Sequence, residues 1–263
     1  MNLPEVDIIG TGNLATNLAP ALEQNGFIVN NIYGRSQESA KEIANRLYQA
    51  TAVNDLDFSS SKSSVFFITI SDDAIEEVAR EIILPDDAII AHTSGTKSLS
   101  ALGYTASPNF GVFYPVQTFS KAKRVNFENV PVLIEGGNRF TEKTLLKMAK
   151  KLSSTVELAS SSQRRMVHLA AIFAGNFTNA MMAHANELMA TANFDLQLLG
   201  PLVEETLNKS ILLGPEVAQT GPARRGDLEV LDEHMQMLEK FPELQETYRN
   251  ISQQILDRYD EES

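Results

Sequence analysis

The chain has no cysteine, no tryptophan, few aromatic residues (7%) and only four histidines. Without cysteine there can be no disulfide, no thiolate nucleophile and no cysteine-based zinc site. The four histidines are too scattered in sequence to propose a metal cluster, so no metal is expected. Positive charge is also scarce, with 22 Lys+Arg against 34 Asp+Glu and a formal net charge of −12. Nucleic acid and anionic lipid both call for a basic face, so neither is an expected partner. Long apolar runs are nearly absent too. Met166 to Asn186 carries no formal charge if histidine is neutral, but it includes His168, Asn176, Asn179, His184 and Asn186. That polar load argues against a lipid-facing helix and predicts one buried inside protein. Met1 to Glu5 lacks the basic and apolar regions of a signal peptide, and a soluble cytoplasmic protein is expected.

The 263 residues, 43% of them hydrophobic, suffice for one large or two smaller cores. The first half alternates short apolar runs with helical patterns, as βαβ units do. Strands are predicted at Val6–Ile9, Phe27–Tyr33, Val65–Ile70, Asp87–His92, Gly111–Phe113, Val130–Ile134 and Thr155–Leu158. Helices are predicted at Asn13–Asn25, about Ser36–Tyr48 and Thr141–Leu152, with Asp72 or Asp73 capping another after the third strand. Beyond about Ser160 the pattern is helical, over 161–190, 195–212 and 227–259 with a break at Pro242. Eight basic and 16 acidic residues lie after residue 159, so this part carries about two thirds of the negative excess. The expected fold class is α/β, a Rossmann-type doubly wound sheet (1–159) followed by an all-helical domain (160–263).

Gly10-Thr11-Gly12-Asn13-Leu14-Ala15 fits G-x-G-x-x-A between the first strand and the first helix. The first glycine permits the tight turn and the second lets backbone approach a pyrophosphate. Ala15 allows close helix–strand packing, and helix N–H groups face the phosphate charge. Gly-rich turns are common, but this placement points to a dinucleotide site rather than a bare structural turn. The second strand runs into Tyr33-Gly34-Arg35-Ser36 without the acid that holds a ribose 2′-OH in NAD sites. That absence also weakens a methyltransferase reading. Arg35 can pair with a 2′-phosphate and Ser36 can add a hydrogen bond, which predicts NADP. The alternative is a surface arginine beside a helix-capping serine.

In doubly wound sheets the ligand lies beyond the carboxyl ends of the strands. Three loops fall there: Ser71-Asp72-Asp73, His92-Thr93-Ser94-Gly95-Thr96 and Tyr114-Pro115-Val116-Gln117-Thr118. Ser71, Asp72 and Thr93 join the expected cofactor contacts with Gly10, Gly12, Asn13, Leu14, Ala15, Arg35 and Ser36. Ser94 and His92 are candidates at the nicotinamide end, against a plain turn role. On the long helix, His168, Ile172, Asn176, Asn179 and Ala183 fall within about 80° of each other at 100° per residue. Such a polar and small stripe faces either the cofactor cleft or a helical partner or dimer interface, because unpaired buried amides are costly. His168 and Asn176 lie about 12 Å apart along the axis and cannot serve one atom. In Ala218-Gln219-Thr220-Gly221-Pro222-Ala223-Arg224-Arg225-Gly226-Asp227, two arginines within an acidic domain read either as an anion site or as structural, with Asp227 capping the next helix and an arginine paired with a carboxylate elsewhere.

The glycine loop, Gly34-Arg35-Ser36, His92-Thr93-Ser94-Gly95, Tyr114 to Ser120, Ala171 to Asn176 and Thr220-Gly221-Pro222 through Arg225-Gly226-Asp227 together resemble a family of Rossmann-like proteins. Its members carry a C-terminal helical domain of unknown function. The family is similar to the 6-phosphogluconate dehydrogenase-like superfamily, with pyrroline-5-carboxylate reductase, prephenate dehydrogenase and deazaflavin-dependent NADP oxidoreductases among its members. The resemblance implies an eight-stranded N-terminal domain, a helical domain that often dimerises, and a reductase activity. In the β-hydroxyacid dehydrogenase branch a lysine and an asparagine one helical turn apart carry catalysis. Asn176 matches that asparagine, but Ile172 stands where the lysine would be, so the branch mechanism does not transfer.

The expected function is therefore an NADP(H)-dependent oxidoreductase moving a hydride to or from a small anionic keto or imino acid. The alternative is a non-catalytic NADP-binding regulatory dimer. His168 is the expected general acid/base, with Ser94 and Asn176 orienting the substrate. Arg225, Thr220 and Gln117 are the expected substrate contacts, and the protein is expected to be a homodimer through its helical domain.

Overall fold

A computed structural model of the chain describes residues 3–259. The chain divides into two compact units, Met1–Asn176 and Phe177–Ser263. The first is built on eight strands: β1 (Glu5–Ile9), β2 (Ile28–Tyr33), β3 (Thr51–Val53), β4 (Val65–Ile68), β5 (Ile89–His92), β6 (Asn109–Pro115), β7 (Val132–Gly136) and β8 (Val156–Leu158). They form one sheet in the order β3-β2-β1-β4-β5-β6-β7-β8. All neighbours run parallel except β6 and β7, which are antiparallel. The chain thus leaves β1 on both sides, making the β1/β4 boundary the switch point where doubly wound sheets open a crevice.

The helices of this unit are α1 (Asn13–Gln24), α2 (Gln37–Ala44), α3 (Ile75–Glu81), α4 (Arg139–Leu152) and α5 (Ser161–Ala171). Strand β4 shows why the sheet needs cover on both faces. All four of its residues are buried; Val65 and Phe67 enter one core cluster and Phe66 and Ile68 the other. Side chains alternate along a strand, so a continuous apolar run signals a strand sandwiched between helices. Strand β1 departs from this rule at the fully buried Asp7, next to a register shift between Val6 and Asp7. Its carboxylate accepts hydrogen bonds from the Asn31 backbone N–H (2.9 Å), the Asn31 amide (3.0 Å), Ser61 Oγ (2.7 Å) and Ser63 Oγ (2.8 Å). A buried carboxylate is tolerated when its lone pairs are met in this way.

The three-residue edge strand β3 was not expected, and β6 is longer than the predicted Gly111–Phe113. The helix predicted over 161–190 is interrupted. A π turn, Ile172–Phe177, separates α5 from α6 (Thr178–Thr191). A π turn takes in about one extra residue and so shifts the side-chain register after it by about 100°, which breaks the regular stripe projected from His168 to Ala183. The expectation that this stretch is buried also fails for the single chain. Arg164 is the one residue of α5, the π turn and α6 that is buried, and Met166 and Phe173 are about two thirds exposed.

The second unit continues with α7 (Gly200–Leu213), α8 (Pro215–Ala218), α9 (Leu228–Met237) and α10 (Pro242–Tyr259), which begins at the predicted Pro242 break. Asp227 caps α9 as expected, its side chain accepting from the Val230 backbone N–H. No strand occurs in this unit among the described residues, and none of their helices is long and apolar enough to cross a membrane.

Candidate functional site

The glycine loop sits at the switch point. Gly10 adopts φ +130°, and a Cβ there would lie 2.7 Å from Thr69 Oγ1 and 2.8 Å from the Thr69 carbonyl oxygen. Thr69 is itself fastened to β1, donating from both N–H and hydroxyl to the Ile9 carbonyl. Only glycine fits between these two strand ends. Gly12 begins α1 with no side-chain cap, and the first turn of that helix contains no acid. Its N–H groups are therefore available to an anion. Asn13 is exposed beside them, whereas Leu14 and Ala15 pack into the core and can offer a ligand only their backbone.

A cavity of about 520 Å³ opens at this point, lined by Gly10, Gly12, Arg35, Ser36, Ile70 and Ser71 among others. Arg35 is exposed and has no ion-pair partner among the described residues; Ser36 caps α2 through the Ser39 N–H. The glycine cradle, the uncapped helix start and the exposed guanidinium fit a dinucleotide pyrophosphate with a ribose 2′-phosphate. Glu77 and Glu81 of α3 also line the cavity.

The next two loops are tied to each other. Asp72 and Asp73 do not cap α3 as predicted; they form a 3₁₀ turn (Asp72–Ala74) ahead of it. The Asp72 carboxylate instead accepts from Thr96 Oγ1 of the loop after β5. Ser94 is buried, and its Oγ accepts the backbone N–H groups of Thr96 (3.1 Å) and Lys97 (3.0 Å) while lying 3.3 Å from Thr96 Oγ1. Its hydroxyl is used to shape the loop. Thr93 is committed similarly, donating to the Ile68 carbonyl at 2.9 Å.

His92 is fully buried; its Nδ1 accepts from the Ser94 N–H and its Nε2 lies 3.2 Å from the Ser98 carbonyl. That pattern requires the neutral ring with its proton on Nε2. Burial, and then the Arg164 charge, push its pKa down to about 4. His92 is a loop fastener, not an acid/base group at neutral pH.

Against these loops stands the start of α5. Arg164 is 1% exposed, ion-pairs with Glu135 of β7 and donates to the Lys97 carbonyl. One turn later, His168 Nδ1 lies 3.0 Å from the hydroxyl of Tyr114, at the end of β6. A Cβ on Gly95 would come within 2.6 Å of His168 Nδ1 and 2.8 Å of Tyr114 Cζ, so the residue between the two loops must be glycine. Burial raises the Tyr114 pKa, the Asp72 carboxylate adds to the rise, and Arg164 opposes it. His168 is half-buried, and its Nε2 has no hydrogen-bond partner among the described residues.

Gln117 is exposed and accepts from the Thr118 N–H through its own side chain. Gly175 of the π turn packs near Thr118, with Asn176 exposed beside it and its side chain making no hydrogen bond among the described residues. The structure therefore gathers Ser94, Thr96, Tyr114 and His168, with Arg164 and Glu135 behind them. Arg164, Glu135 and Tyr114 were not singled out from sequence. The available signal was the spacing of Arg164 and His168, four residues apart on one helix face.

Thr220 and Arg225 belong to the second unit. Arg225 is well exposed, 3.9 Å from Asp227, while the Arg224 guanidinium lies over the Tyr259 ring at 4.0 Å. Thr220 lines an apolar groove of about 340 Å³ in which His234 and Tyr248 are hydrogen-bonded at 2.8 Å.

A Rossmann-like domain model matches residues 3–107, and the model of a domain of unknown function, DUF2520, matches residues 130–255. A Bacteroides fragilis protein described as a "putative NADP oxidoreductase", BF3122, is 37% identical with a TM-score of 0.89, over 97% of this chain and 99% of that one. The chain belongs to this family of Rossmann-like proteins with a DUF2520 domain. Two more distant structures share the fold. Reductive aminase from Aspergillus terreus, in complex with NADPH and ethyl-5-oxohexanoate, is 14% identical with a TM-score of 0.72, over 97% and 94% of the two chains. Pyrroline-5-carboxylate reductase from Streptococcus pyogenes is 14% identical with a TM-score of 0.65, over 98% and 99%. Among curated proteins no match is found.

Proposed function

We propose that this DUF2520-family protein is an NADP(H)-dependent oxidoreductase acting on a small anionic keto or imino acid. The observation that carries the reading is the switch-point cavity, which the Gly10–Gly12 cradle and the exposed Arg35 both line. The Bacteroides fragilis relative is described as a "putative NADP oxidoreductase", in keeping with the cofactor and reaction class though it names no substrate. Bound NADPH would supply the hydride. The chain's own groups hold it: Gly10, Gly12 and Asn13 by backbone at the pyrophosphate, Arg35 and Ser36 at the 2′-phosphate, and Ser71 and Asp72 along the ribose side. Ser94 and Thr93 keep the next loop in shape. His168 exchanges the one proton the reaction needs, and Gln117 and Asn176 orient the substrate. On the helical unit the exposed Arg225, with Thr220 nearby in sequence, offers a cation suited to a carboxylate.

In this reading residues 1–159 hold the cofactor, and residues 160–263 carry substrate contacts and a homodimer contact in a cytoplasmic enzyme. The dimer is supported by α7, which has no buried residue although Leu202, Ile211 and Leu212 are among its apolar side chains and Ile211 is 82% exposed. Apolar surface of that kind marks an association face. Sedimentation should give twice 29.0 kDa.

The activity is tested by incubating the protein and NADPH with a panel of keto and imino acids and following nicotinamide absorbance. Oxidation dependent on one of them supports the reading, with Arg225→Ala raising its KM. Tight NADPH binding without oxidation by any member of the panel would contradict an enzyme and favour the regulatory dimer.

A further inference from the structure

We infer that Tyr114 is a positioning residue that fixes the tautomer of His168, so that His168 meets the substrate as an Nε2–H hydrogen-bond donor. This rests on the reading of His168 as the proton-handling group of the cleft and specifies the form in which it acts.

The geometry leaves the ring one arrangement. Tyr114 Oη and His168 Nδ1 are 3.0 Å apart, so one donates to the other. A phenol is a far stronger acid than a neutral imidazole N–H, and an imidazole lone pair is a better acceptor than a phenol oxygen. The Tyr114 hydroxyl has no other hydrogen-bond partner among the described residues. The phenol therefore donates, Nδ1 accepts, and the ring proton sits on Nε2, the nitrogen with no hydrogen-bond partner among the described residues. Burial and the Asp72 carboxylate keep the phenol protonated, so Tyr114 holds its proton through the neutral range.

Both partners are fixed from behind. Tyr114 belongs to β6, paired with β5 and β7. His168 follows by one turn the buried Arg164, which is anchored on Glu135 and the Lys97 carbonyl. Gly95 leaves the space in which the two rings meet edge to face.

An Nε2–H polarises a carbonyl or imine and stabilises the negative charge that develops when the carbon accepts a hydride; its proton then passes to that oxygen or nitrogen as the Tyr114 hydroxyl proton passes to Nδ1, and water restores the phenol. A base that takes a proton from an alcohol or amine would need a bare Nε2 instead. The arrangement accordingly matches reduction of a C=O or C=N group.

The tautomer can be read without substrate or cofactor. In ¹⁵N-histidine-labelled protein at about pH 8.5, above the ordinary histidine range, the four histidines give resolvable ring nitrogen pairs, and His168→Gln identifies the pair of interest. The wild type should show His168 with a pyridine-type Nδ1 and a pyrrole-type Nε2, and Tyr114→Phe, which keeps the ring packing, should turn it into a mixture. Gly95→Ala should do the same by pushing the rings apart. With an active substrate, Tyr114→Phe should lower kcat about tenfold, the effect of one lost hydrogen bond, and leave the KM for NADPH unchanged. A protonated Nδ1 in the wild type, or an unchanged spectrum in Tyr114→Phe, would overturn the inference whatever the turnover. The predicted spectrum combined with no turnover would uphold Tyr114 as the positioning residue and remove the oxidoreductase reading instead.

Discussion

Acidification should weaken this protein through one buried ring. His92 has no exposed surface, and both its nitrogens are committed, Nδ1 to the Ser94 N–H and Nε2 to the Ser98 carbonyl. A second proton would break the first contact and place a charge in low dielectric near Arg164. Its pKa is accordingly about 4 against an ordinary value of 6.5. Between those values the unfolded chain binds a proton that the folded chain refuses, so unfolding is favoured as pH falls. Stability that is fully present above pH 6.5 is lost as pH drops towards 4, by about 3 kcal/mol.

Carboxylates titrate at the lower end of the same range, so the comparison needs a variant that does not protonate. His92→Gln keeps one acceptor and one donor. Urea unfolding followed by circular dichroism at pH 7 and pH 4 should show the wild type losing about 3 kcal/mol more than His92→Gln. Equal losses would refute the assignment of a buried neutral imidazole.

Other perturbations have definite signs. Gly10→Ala should destabilise the first unit by about 1–3 kcal/mol, since a Cβ at φ +130° meets Thr69 at 2.7 Å; thermal unfolding would register it, together with lost dinucleotide binding. Glu135→Leu leaves Arg164 buried without its carboxylate and should cost about 3–5 kcal/mol in urea titration, much of it recovered in the double variant with Arg164→Met. Asp7→Leu strands the donors of Asn31, Ser61 and Ser63 and should cost about 3 kcal/mol or more, measured in the same way.

The glycine loop and its flanking elements were legible because their determinants are local. A short apolar run, two glycines and a helical pattern succeed one another within about twenty residues. The β4 strand and the Pro242 break were readable for the same reason. The edge strand β3 is three residues long and owes its existence to pairing with β2, which no local pattern announces. Asp72 looks like a cap because aspartate before a helix usually is one. A partner 24 residues away, Thr96, claims its carboxylate instead.

The site's supports were hidden on the same grounds. Arg164 meets Glu135 across 29 residues and Tyr114 meets His168 across 54, distances that only the sheet order brings together. Ser94 was readable as a residue of the loop after a strand, but not as one whose oxygen already serves two N–H groups. The uncharged stretch around Met166 to Asn186 suggested burial, yet the structure leaves it largely exposed in the single chain, Met166 and Leu169 included.

The central claim is that the switch-point cavity takes NADP(H) and recognises its 2′-phosphate through Arg35. Calorimetric titration of the wild type and Arg35→Ala with NADPH and NADH tests it most directly. The wild type should bind NADPH more tightly than NADH. Arg35→Ala should lose about tenfold or more in NADPH affinity, the worth of a charge-assisted hydrogen bond, with NADH unaffected. Equal binding of the two cofactors by the wild type, or an NADPH affinity indifferent to Arg35→Ala, would contradict the account.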